Sequence, residues 1–174
     1  MSRIERPGAD EFAPFYANYV AGVPDGDITD VLESQARDLV QLLGGVDGTQ
    51  AAYRYAPDKW SVKEVVGHVT DSERIFAYRA LRISRGDATP LAGFDQDTYV
   101  TSAQFGRRNL AALLTEFQAV RAATVSLFRG MTDEDSRRVG QANSMPVTAR
   151  ALAFIAAGHE RHHARILRER YLSA

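Results

Sequence analysis

The sequence predicts an all-α protein, a four-helix bundle with a short N-terminal arm. Four long helix-periodic segments follow one another, turn signals separate them, and no stretch shows the apolar–polar alternation of a β-strand. The chain has 174 residues, of which 45% are hydrophobic and 25% charged. This length and composition are typical of one globular unit, so residues 1–174 are expected to form a single helical domain.

The first two helices begin at recognisable capping residues. A helix is predicted over about 28–43, directly after Asp27, a residue type that caps helix N-termini well. A second helix is predicted after Ser61, and Glu64 three residues later completes a capping box. We expect this second helix to continue to Arg85.

The third and fourth helices follow a long connection. The third is predicted over about 108–128, and the fourth from about Pro146, which suits a first helical turn, to about Tyr171. The connection 86–106 is long for a bundle loop, and long loops often carry function or cross the end of a bundle.

The N-terminal segment contains four aromatic residues with helical spacing. They lie at i, i+3, i+4 and i+7 and are Phe12, Phe15, Tyr16 and Tyr19. We interpret them as the apolar stripe of a short helical arm that packs on the bundle, in preference to an aromatic box around a ligand.

Charge and cysteine content narrow the functional classes. The net charge of -1 gives no electrostatic reason to expect nucleic acid or an anionic membrane as a partner. The absence of cysteine excludes disulfides, thiolate metal ligands and a cysteine nucleophile. The sequence shows no apolar signal region and no run that approaches a membrane span, so a cytoplasmic location is expected.

The four histidines lie in two places. His159 and His163 are four residues apart on the fourth helix and share its apolar side, a spacing that lets two rings bind one ion. His162 falls toward the edge of that side. His68 stands alone at a polar border of the second helix. The residues alone leave open whether these side chains are metal ligands or hydrogen-bonded structural histidines.

The segment 159–163 partly matches two known metal-binding motifs, those of zinc proteases and of di-iron proteins. Residues 159–163 spell H-E-x-x-H, but the extended protease pattern fails because Ile166 replaces its glycine and Glu169 its last histidine. The residues after His163 are also too few for a helix with a third glutamate ligand. A di-iron site needs two E-x-x-H motifs, and only Glu160 supplies one. The sequence contains no phosphate-binding glycine loop and no G-x-S-x-G elbow.

Two motifs resemble those of the DinB-like (DinB/YfiT) superfamily, which contains metal-dependent hydrolases and thiol transferases. The first is Trp60-Ser61-x-x-Glu64-x-x-Gly67-His68-x-x-Asp71-x-Glu73. The second is Arg150-Ala151-Leu152-x-x-Ile155-x-x-Gly158-His159-Glu160-x-His162-His163. Between them, Gly93-Phe94-Asp95-Gln96-Asp97 is similar to members of one subgroup. The order and spacing of these motifs, together with the four-helix frame, extend the resemblance over nearly the whole chain.

The resemblance implies an up-down-down-up four-helix bundle, often a homodimer, with a three-histidine site for a divalent metal, typically zinc or nickel. Carried over by position, the ligands are His68, His159 and His163. Some members use the metal to activate a low-molecular-weight thiol, such as mycothiol or bacillithiol, for transfer or isomerisation. The resemblance therefore implies a metal-dependent enzyme with a small-molecule substrate or a thiol co-substrate.

Three histidine ligands leave a position on the metal open for chemistry. That position suits a water for hydrolysis or a cofactor thiol for transfer, and family analogy favours transfer. Glu64 and Asp71 lie one helical turn on either side of His68 and are the candidates for catalytic proton handling. One alternative is a non-catalytic, metal-stabilised bundle acting as a stress-related binding or interaction module. A bundle that binds no metal is a third possibility.

Overall fold

The structure is a computed structural model that describes residues 4–172. Its helices in chain order are α1 (Ala17–Ala21), α2 (Ile28–Leu43), α3 (Gly48–Ala52), α4 (Val62–Ser84), α5 (Gln96–Ala103), α6 (Leu110–Arg129), α7 (Asp133–Arg137) and α8 (Ala149–Ile166). Single 3₁₀ turns cover Pro14–Tyr16 and Phe105–Arg107, and a π-helical turn over Leu167–Tyr171 continues α8. Two short strands, β1 (Val139–Ala142) and β2 (Met145–Thr148), form a hairpin.

The four long helices α2, α4, α6 and α8 form the expected up-down-down-up bundle. Helices α2 and α6 run antiparallel, because Arg129 at the end of α6 pairs with Asp30 and Glu33 near the start of α2. Helices α4 and α8 are also antiparallel, because the ring of His68 near the start of α4 lies 4.9 Å from that of His163 near the end of α8. The fold class predicted from the sequence is confirmed.

The capping residues set the helix boundaries much as the sequence predicted. The side chain of Asp27 accepts a hydrogen bond from the amide of Thr29, and α2 spans Ile28–Leu43. The capping box of Ser61 and Glu64 is formed at the start of α4. Helix α4 ends at Ser84 and α6 starts at Leu110, each within two residues of the prediction.

The predicted start of the fourth helix is wrong. Pro146 lies in β2, where it is paired with Gln141 of β1, and α8 begins three residues later. The side chain of Thr148 caps α8 by accepting a hydrogen bond from the amide of Ala151. Proline is tolerated in β2 because each strand of a two-stranded sheet is an edge strand.

The expectation that the chain contains no β-strand is also wrong. Asn143 and Ser144 connect β1 to β2 with φ angles of 51° and 62°. Positive φ at both central residues is typical of a type I′ turn, which matches the twist of a tight hairpin. The long connection 86–106 attaches to this hairpin: the amide of Leu91 donates to the carbonyl of Gln141, and the amide of Asn143 donates to that of Leu91. The connection then runs back along the bundle to the start of α4, where Lys63 donates to the backbone oxygen of Gly106 at 3.2 Å.

The N-terminal arm packs on the bundle with only part of its predicted aromatic stripe. The ring of Tyr16 meets that of Phe76 edge to face at 6.4 Å, and Phe12 is buried before the first helical turn. Phe15 remains 75% exposed, so it does not belong to a packed stripe. The arm is a 3₁₀ turn followed by the short helix α1, instead of one continuous helix.

Helix α6 meets the criteria for a membrane span by length and composition, contrary to the expectation from the sequence. Its mean hydropathy is 1.2 over Leu110–Arg129, and 39% of that window is buried. This helix supplies Leu113, Phe117 and Phe128 to the core. A core helix of a bundle passes the same test, so the pattern is weak evidence for a membrane.

Candidate metal centre

Three of the four histidines converge on one point between α4 and α8. One ring nitrogen each from His68, His159 and His163 lies within 4.8 Å of the others. The Nε2 atoms of His68 and His159 are 3.0 Å apart. His68 is only 3% exposed, so it is a core residue and not the border residue that its helix pattern predicted. Across residues 4–172 this is the one group of three or more histidine or carboxylate side chains with metal-site spacing.

The distances and the donor atoms fit a metal ion. Zinc binds imidazole nitrogen at about 2.0–2.1 Å, which places two ligand nitrogens of a tetrahedral site about 3.3 Å apart. The observed 3.0 Å between His68 and His159 is close to that separation. A direct hydrogen bond between the two rings has the same length, but it leaves the nearby nitrogen of His163 without a role.

All three rings are in the protonation state that metal binding requires. Burial lowers the pKa of His68 to about 4. Burial, with added repulsion from the neighbouring histidines, lowers the pKa of His163 to about 3 and that of His159 well below its usual value. Neutral imidazoles with free ring nitrogens are therefore present at pH 7, and only neutral imidazole binds a metal.

A glycine precedes each of the two buried histidines and permits close packing beside it. A Cβ at Gly158 would lie 2.2 Å from the backbone oxygen of Tyr19, so α1 can rest on α8 only because this side chain is absent. A Cβ at Gly67 would lie 2.4 Å from the ring of Phe105. The close approach of α1 places the ring of Tyr19 at 5.7 Å from that of His159.

Aromatic side chains surround the histidine rings. The indole ring of Trp60 lies 4.6 Å from the ring of His68 and stacks at 6.5 Å on that of His163. Phe76 meets His159 edge to face at 5.7 Å. These contacts restrict the rotation of the imidazoles and keep their nitrogens convergent.

The cluster opens onto a cavity of about 310 Å³. Its walls come from the N-terminal arm, α4, the long connection, the hairpin turn and α8. Besides the three histidines, the lining consists of Phe15, Tyr16, Tyr19, Trp60, Ser72, Phe76, Arg79, Gly93, Phe94, Gln96, Asn143 and His162. His162 therefore borders the cavity, although its ring is not part of the convergent group.

The family model of the DinB superfamily matches residues 32–167, which include all three convergent histidines. The chain belongs to the DinB superfamily. Its structure is similar to that of YfiT from Bacillus subtilis, described as "a probable metal-dependent hydrolase with an unusual four-helix bundle topology". The TM-score is 0.76 at 17% identity, and the match covers 95% of this chain and 91% of that chain. This likeness shows a shared fold. The chain matches none of the curated proteins.

The two predicted proton-handling carboxylates of this DinB-superfamily chain lie outside the cavity lining. Burial raises the pKa of Glu64, but hydrogen bonds from its own helix start and from Arg54 outweigh burial and lower that pKa overall. Burial raises the pKa of Asp71, although its ion pair with Arg74 opposes the shift. Both side chains stay on α4 within a turn of His68. Their role in proton transfer stays a prediction.

Glu160 of the apparent protease motif faces away from the histidine cavity. It is 3% exposed, and burial raises its pKa to about 7, while Arg121 opposes this shift and Glu73 adds to it. Glu160 is not among the cavity-lining residues, so it lacks the position of a protease general base.

Four polar residues of the cavity were not predicted to be functional. Ser72 and Arg79 follow His68 by four and eleven residues, so a helical projection of α4 places them beside His68, but it gives them no role. Gln96 and Asn143 come from the connection and the hairpin turn. No local pattern could have placed those two beside the histidines.

Proposed function

We propose that this DinB-superfamily chain is a metal-dependent enzyme of thiol S-transferase or hydrolase type, with His68, His159 and His163 as its metal ligands. The observation that carries the proposal is the convergence of three neutral ring nitrogens at the wall of an open cavity. Structural zinc sites are closed by four protein ligands, whereas catalytic sites have three and keep a position open.

Zinc or nickel is the proposed metal, by family analogy. Imidazole nitrogens suit both ions, and the chain has no cysteine to offer a softer ligand. When bound, such an ion would supply the Lewis-acid activation of a water or of a cofactor thiol. The description of YfiT as "a probable metal-dependent hydrolase" supports metal dependence here.

The protein's own residues would hold and shield the reacting groups. The three histidines would hold the ion, and the rings of Trp60 and Phe76 would keep bulk water away from the imidazoles. Glu64 and Asp71 remain the proposed proton carriers, supported by their place on the helix of His68. Because neither lines the cavity, each would act through an intervening water or side chain.

A low-molecular-weight thiol is the proposed co-substrate. A protein without cysteine must obtain a sulfur nucleophile from a cofactor, and family analogy favours transfer over hydrolysis. The open cavity supports an enzyme over a non-catalytic, metal-stabilised interaction module, because such a module needs no space beside its metal. A homodimer and a cytoplasmic location are further parts of the proposal, to be tested by size-exclusion chromatography and cell fractionation.

Metal analysis of protein purified without a histidine tag tests the metal site. We expect one zinc or nickel per chain, a loss of most of it in His68→Ala, and full retention in the neighbouring control His162→Ala. A metal-free wild type under zinc supplementation, or equal metal in both variants, would contradict the proposal.

Turnover assays with the metal-loaded protein separate the two reaction types. A thiol transferase requires an added thiol such as mycothiol or bacillithiol, whereas a hydrolase works without one. Asp71→Asn and Glu64→Gln should lower turnover with metal content unchanged. If neither variant affects turnover, proton handling belongs to other groups.

A further inference from the structure

One buried arginine on α4, Arg79, has no carboxylate partner among residues 4–172. Arg79 is 4% exposed, and its Nη2 donates a hydrogen bond of 2.6 Å to the carbonyl oxygen of Ala92. The one other group that stabilises its charge within residues 4–172 is the phenol of Tyr16, which is not an acid at neutral pH. A guanidinium carries five N–H donors, so these contacts leave donors for a ligand.

Other buried arginines of the same chain are paired with carboxylates. Arg121 is 1% exposed and binds both carboxylate oxygens of Glu73 at 2.7 Å. Arg150 binds Glu11 through two nitrogens, although its Nη1 has no hydrogen-bond partner within residues 4–172. Burying a charge without a counter-ion is costly, so an unpaired position such as that of Arg79 is explained if a bound anion completes it. Arg79 lines the histidine cavity, where such an anion has room.

A second polar group at the cavity lacks a partner in the part of the chain that the structure describes. Ser72 is 1% exposed, and its hydroxyl oxygen makes no hydrogen bond to any residue from 4 to 172. A helical hydroxyl commonly bonds to the carbonyl of the preceding turn, as Thr70 does to Val66 at 2.8 Å. Ser72 does not, and it lines the cavity one helical turn from His68. Buried polar groups are nearly always satisfied, so the unpaired hydroxyl of Ser72 offers a hydrogen bond beside the cavity.

Ser72 and Arg79 follow His68 along the cavity face of α4, with the aromatic Phe76 between them. The chain therefore presents a hydroxyl, an aromatic wall and a guanidinium in order, starting from the three histidines. A volume of about 310 Å³ is at the small end of ligand cavities, which indicates a small molecule.

We propose that the substrate is a small organic anion whose carboxylate or related oxyanion binds Arg79, whose apolar body lies against the aromatic walls, and which receives a hydrogen bond from Ser72. Its reactive end would face the histidine cluster. This last point rests on the proposed function, whereas the anion site itself depends only on Arg79 and Ser72.

Calorimetric titration of the zinc-loaded protein with 4-phenylbutyrate tests the anion site. The neutral amide of the same acid is the ligand control. A hydrogen-bonded ion pair contributes about 1.5–3 kcal/mol, so we expect the carboxylate to bind at least about tenfold more tightly than the amide. The matching phosphonate shows which oxyanion is preferred, and Arg79-dependent binding of either anion supports the proposal.

The affinities of Arg79 and Ser72 variants test where the anion binds. Arg79→Met should weaken binding of the carboxylate about tenfold or more, and Ser72→Ala about two- to tenfold. The matched control Arg85→Met changes an exposed arginine near the end of the same helix and should leave the affinity unchanged. If Arg79→Met does not fold, Arg79→Lys decides, because it keeps the charge but loses the planar fork, and it too should bind the acid more weakly.

Equal affinity for acid and amide, or an unchanged affinity in both Arg79 variants, would overturn the anion site. Binding that disappears with the metal but not with Arg79 would place the carboxylate at the histidines and would also overturn it. The metal content of each variant is measured in parallel. If the wild type binds no metal, the proposed function fails, and titration of the metal-free protein still decides the role of Arg79.

Discussion

Two buried polar clusters share helix α4 and differ in how they are satisfied. In the first, Arg121 binds Glu73 through two hydrogen bonds and donates to the backbone oxygen of Leu32 at 2.8 Å. In the second, the rings of His68 and His159 contact mainly each other and aromatic side chains. The first cluster is closed, whereas the second opens onto a cavity.

The difference separates a structural role from a functional one. The two charged groups of the closed cluster, Arg121 and Glu73, pair with each other inside the bundle. Removing either one leaves the other as an unpaired buried charge. Among the described residues, 4–172, the hydroxyl of Ser72 at the border of the open cluster makes no hydrogen bond and the guanidinium of Arg79 pairs with no carboxylate. Unsatisfied buried groups beside a cavity indicate partners that are not part of the polypeptide.

The largest predicted effect comes from breaking the closed cluster. Arg121→Met should lower the free energy of unfolding of the metal-free protein by about 3–5 kcal/mol, because it leaves Glu73 charged and buried. The control Arg129→Met breaks an exposed pair with Glu33 and should cost far less, because water and salt screen exposed charges. Urea unfolding measures both. If the two variants lost similar amounts of unfolding free energy, the closed cluster would contribute no more to stability than an exposed ion pair does.

The open cluster should stabilise the protein only when a metal ion is bound to its histidines. Zinc at 100 to 1,000 times its dissociation constant should raise the free energy of unfolding by about 2.7–4.1 kcal/mol, and a chelator should reverse this gain. His68→Ala should lose the gain, while His162→Ala should keep it, as seen in thermal melts with and without zinc. A zinc effect of equal size in both variants would point to another site.

Close packing over the open cluster predicts a smaller effect. Gly158→Ala would place a Cβ 2.2 Å from a backbone oxygen of Tyr19, which cannot rotate away. We expect a loss of about 1–3 kcal/mol in the free energy of unfolding, as for other overpacked sites. The control Gly45→Ala meets no atom within 4 Å and should change stability by less than about 0.5 kcal/mol. A harmless Gly158→Ala would mean that α1 is not held against α8.

The ion pair of Glu11 and Arg150 resembles that of the closed cluster but is less deeply buried. It should make the free energy of unfolding depend on pH. Burial raises the pKa of Glu11, but hydrogen bonds from Arg150, the Gly8 amide and Thr148 outweigh it and lower the pKa to about 2. A carboxylate whose pKa is lowered on folding stabilises the protein above its unfolded pKa of about 4.5. This contribution is lost as the pH falls toward about 2.

Glu11→Gln should therefore flatten the fall in stability between pH 4.5 and 2. At pH 7 it should lower the free energy of unfolding by about 1–2 kcal/mol. Urea midpoints across this pH range provide the measurement, with the exposed Glu134→Gln as control. An unchanged pH profile in Glu11→Gln would show that the arm is held by other contacts.

The sequence was sufficient for the parts of the fold that local signals determine. Asp27 and the Ser61–Glu64 capping box placed the starts of α2 and α4, because an N-cap acts within a single turn. The family motifs located the three histidines, and the structure brings these side chains together. Helical spacing alone predicted a shared position only for His159 and His163.

The remainder depends on contacts between residues far apart in the sequence. The strands are four residues long and their two-residue turn contains no glycine, so Pro146 looked like a helix start. The burial of His68 results from packing against α8, and α4 alone could not reveal it. The cavity walls contributed by Gln96 and Asn143 likewise follow from the way the long connection folds back onto the hairpin.

The walls of the cavity have a consequence for how such a protein can diversify. The three convergent histidines sit on two bundle helices, whereas Phe15, Phe94 and Asn143 reach the same space from peripheral segments outside the four long helices. Loops tolerate insertion and substitution far better than core helices do. Exchange of these peripheral segments could therefore change the accepted substrate between relatives while the histidine scaffold is inherited intact.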